Sequence, residues 1–257
     1  MNSITRRRMI SQGILGGTGV GAGFRVAAAV PEVVATPTPQ RKRRIVVTGG
    51  HPGDPEYGCG GTIARYADRG DEVVLLYLNQ GDPAETASRP ASEVRVSEAG
   101  SACRVLGATA AFAGQIDGHA VVDPEHYERF RKLLQERSPD AVFTHWPIDN
   151  HADHRAMFNL VYDAWIRLGR KFALYFYEVS TGEDTVQFSP TDYVDITATA
   201  ARKRQACYAH ASQSPDRYYS LQESVTRMRG LESGHGQAEA FVRHVQSLVC
   251  PLSPDAR

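Results

Sequence analysis

The 257-residue sequence has few cysteines, no net charge and no long uncharged apolar run. Its four cysteines include no Cys-x-x-Cys pair, which excludes a disulfide-built scaffold and a thiolate zinc finger. The 29 Lys and Arg residues balance 29 Asp and Glu residues, so the overall charge does not attract nucleic acid or an anionic membrane surface. No stretch contains the roughly 20 apolar residues that a membrane-spanning helix needs. We therefore expect a globular protein that binds no nucleic acid and has no membrane span in its mature chain.

The first forty residues have the composition of a targeting segment. The stretch Thr5-Arg6-Arg7-Arg8-Met9-Ile10 precedes a glycine-rich, weakly apolar run, and Ala27-Ala28-Ala29 fits the small-x-small rule for signal-peptidase cleavage. This arrangement resembles a twin-arginine export signal; the alternative is an unstructured basic N-terminus. We expect an export signal at 1–29, a linker at 30–44, a single domain at 45–257 and a periplasmic or other extracytoplasmic location.

From residue 45 onward, short apolar runs alternate with segments of helical periodicity. Runs such as 72–78 are almost continuously apolar, which is typical of strands buried on both faces of a sheet. The alternation predicts an α/β fold, a Rossmann-like three-layer sandwich with a mostly parallel sheet and a single domain. The stretch 212–236 is rich in Ser, Arg and Gly and is predicted to be a long functional loop. Strands are predicted at 45–48, 72–78, 110–112, 141–145, 172–179 and 192–196, and helices at 61–69, 91–106, 124–137, 153–168 and 198–211.

Two groups of chemically active residues each follow a predicted strand. His51 and Asp54 lie in a Gly- and Pro-rich segment after the first strand, and Asp149, His151 and His154 follow the strand 141–145. Ligands of an open parallel sheet bind at the carboxyl ends of its strands. Imidazoles with one carboxylate are the ligand set of catalytic zinc. The sequence therefore predicts one divalent metal ion held between the two groups.

Each group also has a purely structural explanation when it is taken alone. Glycines after a strand serve tight turns, and Asp149 or Asn150 is suited to cap the helix that follows. A nucleotide-binding Rossmann enzyme is a third alternative. It would need a glycine-rich phosphate loop and an acidic ribose partner after the second strand. The first segment lacks the glycine spacing, and only Asp82, beyond the turn, is available as the partner.

From about Ile45 to Phe241 the chain resembles the LmbE/PIG-L group of zinc-dependent de-N-acetylases. The family motifs are His-Pro-Asp-Asp followed by Gly-Gly, and His-Pro-Asp-His-Arg. The resemblance implies a hydrolase that removes an N-acetyl or other N-acyl group from an amino-sugar-containing substrate, with one Zn²⁺ per chain. It implies His51, Asp54 and His154 as zinc ligands, His151 as the residue that polarises the substrate carbonyl or protonates the leaving amine, Arg95 as a substrate-positioning residue, and Asp149 and His210 as residues that line the site.

One position departs from the family motif. The first Asp of His-Pro-Asp-Asp is the family's general base, and Gly53 stands in its place here. A metal ion alone lowers the pKa of the water it binds to about 7, whereas a positioned base contributes about 10²–10⁴-fold to the rate. Three alternatives follow: Asp149 or Glu56 replaces the base, turnover is slow, or the protein is a non-catalytic, metal-containing carbohydrate-binding member of the fold.

Overall fold

The computed structural model describes residues 41–81, 89–180 and 185–250. The predicted export signal, most of the predicted linker and Asp82 lie outside these ranges. Within them, no helix is long and apolar enough to cross a membrane. The elements are β1 (Arg44–Gly49), α1 (Asp54–Asp68), β2 (Glu72–Tyr77), α2 (Arg89–Leu106), β3 (Thr109–Phe112), α3 (Pro124–Arg137), β4 (Ala141–His145), α4 (Ala152–Arg167), β5 (Ala173–Tyr177), β6 (Asp192–Asp195), α5 (Ala200–Tyr208), a 3₁₀ turn (Ala211–Gln213), α6 (Pro215–Ser233) and β7 (Ala238–Arg243).

The strands form one mixed sheet in the order β3-β2-β1-β4-β5-β7-β6. All pairs from β3 to β5 are parallel, whereas β7 runs antiparallel to both β5 and β6. The predicted α/β fold with a mostly parallel sheet is confirmed. The chain order reverses between β1 and β4, since β2 and β3 lie on one side of this pair and β5 on the other.

Helices cover both faces of the sheet and create two apolar cores. Successive side chains of a strand point to opposite faces: Ile45 and Val47 belong to the core beneath α1, α2 and α5, and Val46 belongs to the core beneath α3 and α4. Because both faces are buried, the inner strands carry apolar residues at consecutive positions. This explains why β4 is buried at all five positions and was predictable from the sequence.

Helix α1 begins at Asp54, seven residues before the helix start predicted at 61. Its glycines indicated a turn, but in the structure they allow the helix to lie very close to neighbouring segments. A Cβ atom at Gly58 would lie 2.3 Å from the Tyr177 ring, and one at Gly61 would lie 2.5 Å from Ile196. The glycines therefore let α1 pack directly against β5 and the segment after β6. This packing fixes the N-terminus of α1, where His51 and Asp54 lie.

The prediction of a long loop at 212–236 is wrong, because most of this stretch is helix α6. The buried positions of α6 do recur with helical spacing, but several are polar. Arg229 is one of them, and its guanidinium donates two hydrogen bonds to Glu178, with lengths of 2.7 and 2.9 Å. A paired charge of this kind tolerates burial, so hydrophobic periodicity did not reveal the helix. Strand β7, which follows α6 and completes the sheet between β5 and β6, was also not predicted.

Candidate metal centre

The sheet brings the two groups of predicted site residues together. β1 and β4 are neighbouring parallel strands, and their carboxyl ends lie at the point where the strand order reverses. His51 follows β1, His145 is the last residue of β4, and His154 lies in the first turn of α4. This is the position in an open α/β sheet at which ligands bind.

The side chains of the two groups converge on one carboxylate oxygen. Oδ2 of Asp54 lies 3.3 Å from Nδ1 of His51, 3.2 Å from Nε2 of His154 and 3.3 Å from Nε2 of His145. Asp54 is the first residue of α1, where the helix dipole stabilises a negative charge. The three residues predicted as metal ligands are therefore neighbours in space, although about a hundred residues separate His154 from His51 and Asp54 in the sequence.

The other nitrogen of each predicted histidine ligand contacts a carboxylate. Nδ1 of His154 lies 3.0 Å from Oδ1 of Asp149. Nε2 of His51 lies 3.0 Å from Asp117 and 3.2 Å from Asp153. Metal-bound histidines usually donate their second ring N–H to a carboxylate, which fixes the tautomer and the ring orientation. The remaining nitrogens both face Asp54, and the clusters with metal-ligand spacing join His154 either to Asp54 and His145 or to His51 and His151.

His145 forms a cluster with metal-ligand spacing together with Asp54 and His154, but its Nε2 already has a hydrogen-bond partner in the fold. Its Nε2 already accepts a hydrogen bond from the backbone N–H of Gly50 at 2.9 Å. Burial and the neighbouring His154 lower the pKa of His145 to about 4, so its ring is neutral. It stacks on His154 with ring centroids 3.9 Å apart. We assign it to supporting that ring and the turn after β1.

The carboxylates make the centre suitable for positive charge. Burial alone would lower the pKa of His154, but Asp54 and Asp149 outweigh it and raise that pKa to about 9. Burial likewise disfavours a charged His51, yet hydrogen bonds to Asp117, Asp153 and Asp54 raise its pKa well above 6.5. The pKa of Asp54 lies well below its ordinary value, because the surrounding imidazoles outweigh its burial. The same electrostatic field stabilises a divalent cation.

His151 lies at the edge of this centre and forms a cluster with metal-ligand spacing together with His51 and His154. Its Nδ1 accepts the backbone N–H of Asp153 at 3.2 Å and caps α4. Its ring centroid is 4.5 Å from that of His51 and 4.8 Å from that of His154. Partial burial and the two charged histidines lower the pKa of His151. A neutral His151 of this tautomer carries its proton on Nε2 and is a hydrogen-bond donor.

Asp149 and Glu56, the two carboxylates predicted as replacement bases, both hold other groups. Asp149 accepts from His154, from the backbone N–H of His151 and from Thr185. Glu56 is fully buried and accepts from the Tyr77 hydroxyl, from Nε2 of His210 and from the backbone N–H of Gly53. Among the described residues, Glu56 belongs to none of the clusters with metal-ligand spacing.

Arg95 and His210 are buried behind the segment that follows β1. Arg95 donates a 3.0 Å hydrogen bond to the carbonyl oxygen of Pro52. Nε2 of His210 lies 2.9 Å from Oε1 of Glu56. Arg95 thus holds the backbone before Gly53 directly. His210 holds Glu56, which accepts the backbone N–H of Gly53.

Three residues of the site were not found by sequence reasoning: Asn79, Asp117 and Asp153. Asp153 accepts from His51, from Nδ2 of Asn79 at 3.0 Å and from the backbone N–H of Gly118 at 2.9 Å. Asp153 resembled an ordinary acidic residue in the first turn of a helix. Asn79 and Asp117 each follow a strand of the parallel sheet, and that placement was the signal that could have found them.

The fold and the site together define an α/β protein with a cluster of His and Asp residues that have the spacing of metal ligands. Residues 46–165 match the family model described as PIG-L, GlcNAc-PI de-N-acetylase. This segment contains both groups of site residues, and it belongs to the PIG-L, or LmbE-like, de-N-acetylase family. The family is metal-dependent, in agreement with the His/Asp cluster.

Individual relatives cover most of the described domain. A diacetylchitobiose deacetylase of Thermococcus kodakarensis is 25% identical over 233 residues, which cover 82% of this chain and 87% of the relative. A conserved protein of Thermus thermophilus has 26% identity and a TM-score of 0.69, covering 84% of this chain and 99% of that one. The fold of an N,N'-diacetylchitobiose deacetylase from Pyrococcus horikoshii is also similar, with a TM-score of 0.67 at 22% identity and coverage of 79% and 84%.

Proposed function

We propose that this protein is a hydrolase that removes the N-acetyl group from an amino-sugar-containing substrate, with one zinc ion per chain. The observation that carries the proposal is the convergence of His51 and His154 on Asp54, with carboxylates behind both imidazoles. The match of residues 46–165 to a de-N-acetylase family and the similarity to a diacetylchitobiose deacetylase support the substrate class.

His51, Asp54 and His154 would hold the ion. A bound divalent ion supplies Lewis acidity, which polarises the amide carbonyl and lowers the pKa of water. The chain contributes the orientation of the ligands: Asp149 fixes the His154 ring, and Asp153 fixes the His51 ring.

His151 would polarise the acyl carbonyl of the substrate. Its Nδ1 is occupied by the Asp153 backbone N–H, so Nε2 carries the proton that it donates. A hydrogen bond from Nε2 to the carbonyl oxygen strengthens as negative charge develops there during attack by water. The lowered pKa of His151 keeps the ring neutral, so it acts as a hydrogen-bond donor throughout.

Arg95 would position the substrate indirectly, by fixing the conformation of the segment that follows β1. Its hydrogen bond to Pro52 sets the path of the backbone between His51 and Asp54. We also propose that the chain acts outside the cytoplasm, on the basis of the twin-arginine-like sequence that precedes the domain.

Gly53 favours one competing function, a metal-containing carbohydrate-binding protein without turnover. Purified protein should therefore be analysed for metal and assayed for amine release from N,N'-diacetylchitobiose and N-acetylglucosamine. We expect one zinc ion per chain and amine release that a chelator abolishes and added Zn²⁺ restores. His154→Ala should lose both metal and activity. Stoichiometric metal with sugar binding but no amine release would establish the binding protein instead.

A further inference from the structure

The carboxylate of Asp149 holds two parts of the candidate metal centre. Its Oδ1 lies 3.0 Å from Nδ1 of His154 and accepts the backbone N–H of His151 at 2.8 Å. The side chain of Asp149 is completely buried, so protein groups rather than bulk water must fix its orientation. The placement of both histidines therefore depends on what holds the second oxygen of Asp149, Oδ2.

The Thr185 hydroxyl donates a hydrogen bond to that second oxygen. Oγ1 of Thr185 lies 3.0 Å from Oδ2 of Asp149, and it also accepts the backbone N–H of Val179 at 2.9 Å. A backbone N–H only donates, and an ionised carboxylate only accepts. The proton of the hydroxyl must therefore point to Asp149, which gives this contact a single direction.

Backbone contacts hold Thr185 in place. Its N–H donates to the carbonyl oxygen of Val179 at 3.3 Å, and Thr185 pairs with Asp149 in an isolated antiparallel bridge. The neighbouring Val186 donates its N–H to the carbonyl oxygen of Ile148 at 3.1 Å. Val179 is buried and lies just after β5, a strand that pairs with β4. The Thr185 hydroxyl is thus anchored to the edge of the sheet at which the candidate centre lies.

We infer that Thr185 is a positioning residue of the metal centre, which acts through Asp149 on His154. The inference rests on the proposed function, in which His154 is a metal ligand. The Val179 N–H polarises the Thr185 hydroxyl, which strengthens the bond that the hydroxyl donates to Asp149. A carboxylate behind a metal-bound histidine sets the orientation of its ring. The group that fixes this carboxylate therefore contributes to the affinity for the metal.

The test measures the affinity of the full chain for Zn²⁺ by competition with a chromogenic chelator. Thr185→Val keeps the shape of the side chain but removes the hydroxyl, so Oδ2 of Asp149 loses this donor. We expect the affinity to fall by about tenfold, the lower end of the range for residues that support metal ligands. Thr185→Ser restores a hydroxyl and should return the affinity to the wild-type value. The double variant with Asp149→Asn should bind zinc no more weakly than Asp149→Asn alone, because Thr185 acts only through Asp149.

Thr197→Val is the matched control, because the Thr197 hydroxyl makes the same pattern of contacts in the segment after β6. It donates to Asp195 at 2.6 Å and accepts the backbone N–H of Gln237 at 3.1 Å. Among the described residues, neither partner belongs to a cluster with metal-ligand spacing. This variant should keep the wild-type affinity, so the comparison accounts for the general effect of losing a threonine hydroxyl.

Melting temperatures of the metal-free variants show whether each one is folded. Weaker zinc binding by Thr185→Val than by Thr197→Val, with recovery in Thr185→Ser, supports the inference. If Thr185→Val does not fold, Thr185→Ala is compared with Thr185→Ser by the same criterion.

Wild-type affinity in a folded Thr185→Val, no recovery in Thr185→Ser, or effects that multiply in the double variant would overturn the inference. Amine release by the wild-type chain would then leave the proposed function standing. Because the affinity is measured without substrate, a wild-type chain that binds zinc but releases no amine would overturn the proposed function alone. A wild-type chain that binds no zinc would remove both proposals.

Discussion

At the scale of single residues, carboxylates orient the two histidines that we propose as metal ligands. Asp149 and Asp153 each contact the outward nitrogen of one histidine, so the inward nitrogens of His51 and His154 both face Asp54. The proximity of His51, Asp54 and His154 was predictable because they lie in two compact motifs, each directly after a strand of the sheet. Asn79 and Asp117 were not, because each is an isolated polar residue that acquires its role only when the sheet brings the strand ends together.

Asp149→Asn should weaken metal binding by about 10–100-fold, because the amide cannot support His154 as a carboxylate does. The affinity is measurable by competition with a chromogenic chelator. Asp163→Asn is the control, since Asp163 pairs only with Arg167 on the outer face of α4 in the described contacts. Equal affinities in both variants would contradict the assigned role of Asp149.

The pH dependence of the metal-free protein follows from the raised pKa values of His51 and His154. Each folded-state pKa exceeds the unfolded value of about 6.5, so the stabilisation is complete below that pH. The contribution of His154 is lost as pH rises through about 9, and that of His51 is lost as pH rises through its own raised pKa. A metal ion binds these histidines only when it displaces their protons. The affinity for the metal should therefore increase as the pH rises toward 9. We expect the difference in melting temperature between metal-loaded and metal-free protein to grow from pH 7 to 9; a constant difference would contradict the assignment.

At the scale of elements, the sequence predicted best where a strand or helix follows a simple apolar pattern. β4 and α3 have the bounds that the pattern predicted. The start of α1 was missed because its glycines meet tertiary neighbours rather than forming a turn. α6 was missed because it buries polar residues such as Arg229, whose ionic partner Glu178 comes from a distant segment.

Gly58→Ala should destabilise the protein by about 1–3 kcal/mol, because the added methyl group would lie 2.3 Å from Tyr177. Gly100→Ala is the matched control on α2, where the nearest atom would be 3.7 Å away. That substitution should stabilise the protein by about 0.5–1 kcal/mol through helix propensity. Urea denaturation of both variants measures the difference. Equal changes would show that α1 does not pack as closely as described.

At the scale of the whole molecule, the order of the strands creates the site. Two motifs about a hundred residues apart meet because β1 and β4 are neighbours at the reversal of the sheet. The sequence predicted this meeting from strand–helix alternation, although it did not predict β7, which lies at the far side of the sheet. The N-terminal sequence adds a separate expectation about where the folded domain acts.

The paired substitutions Arg6→Lys and Arg7→Lys should block the proposed export, because they remove the two arginines that define a twin-arginine signal. Cell fractionation should find the variant uncleaved in the cytoplasm and the wild-type chain outside it, beginning near residue 30. Replacing Arg41 and Lys42 in the predicted linker by Gln is the control and should leave export intact. Equal export of all three chains would contradict the signal.

Whether one metal ion joins the two motifs can be determined by anomalous diffraction at the zinc absorption edge from metal-loaded crystals. We expect one strong peak per chain, about 2.0–2.2 Å from His51 Nδ1, Asp54 Oδ2 and His154 Nε2. A peak coordinated by other residues, or no peak from protein that still releases acetate, would contradict the proposed centre.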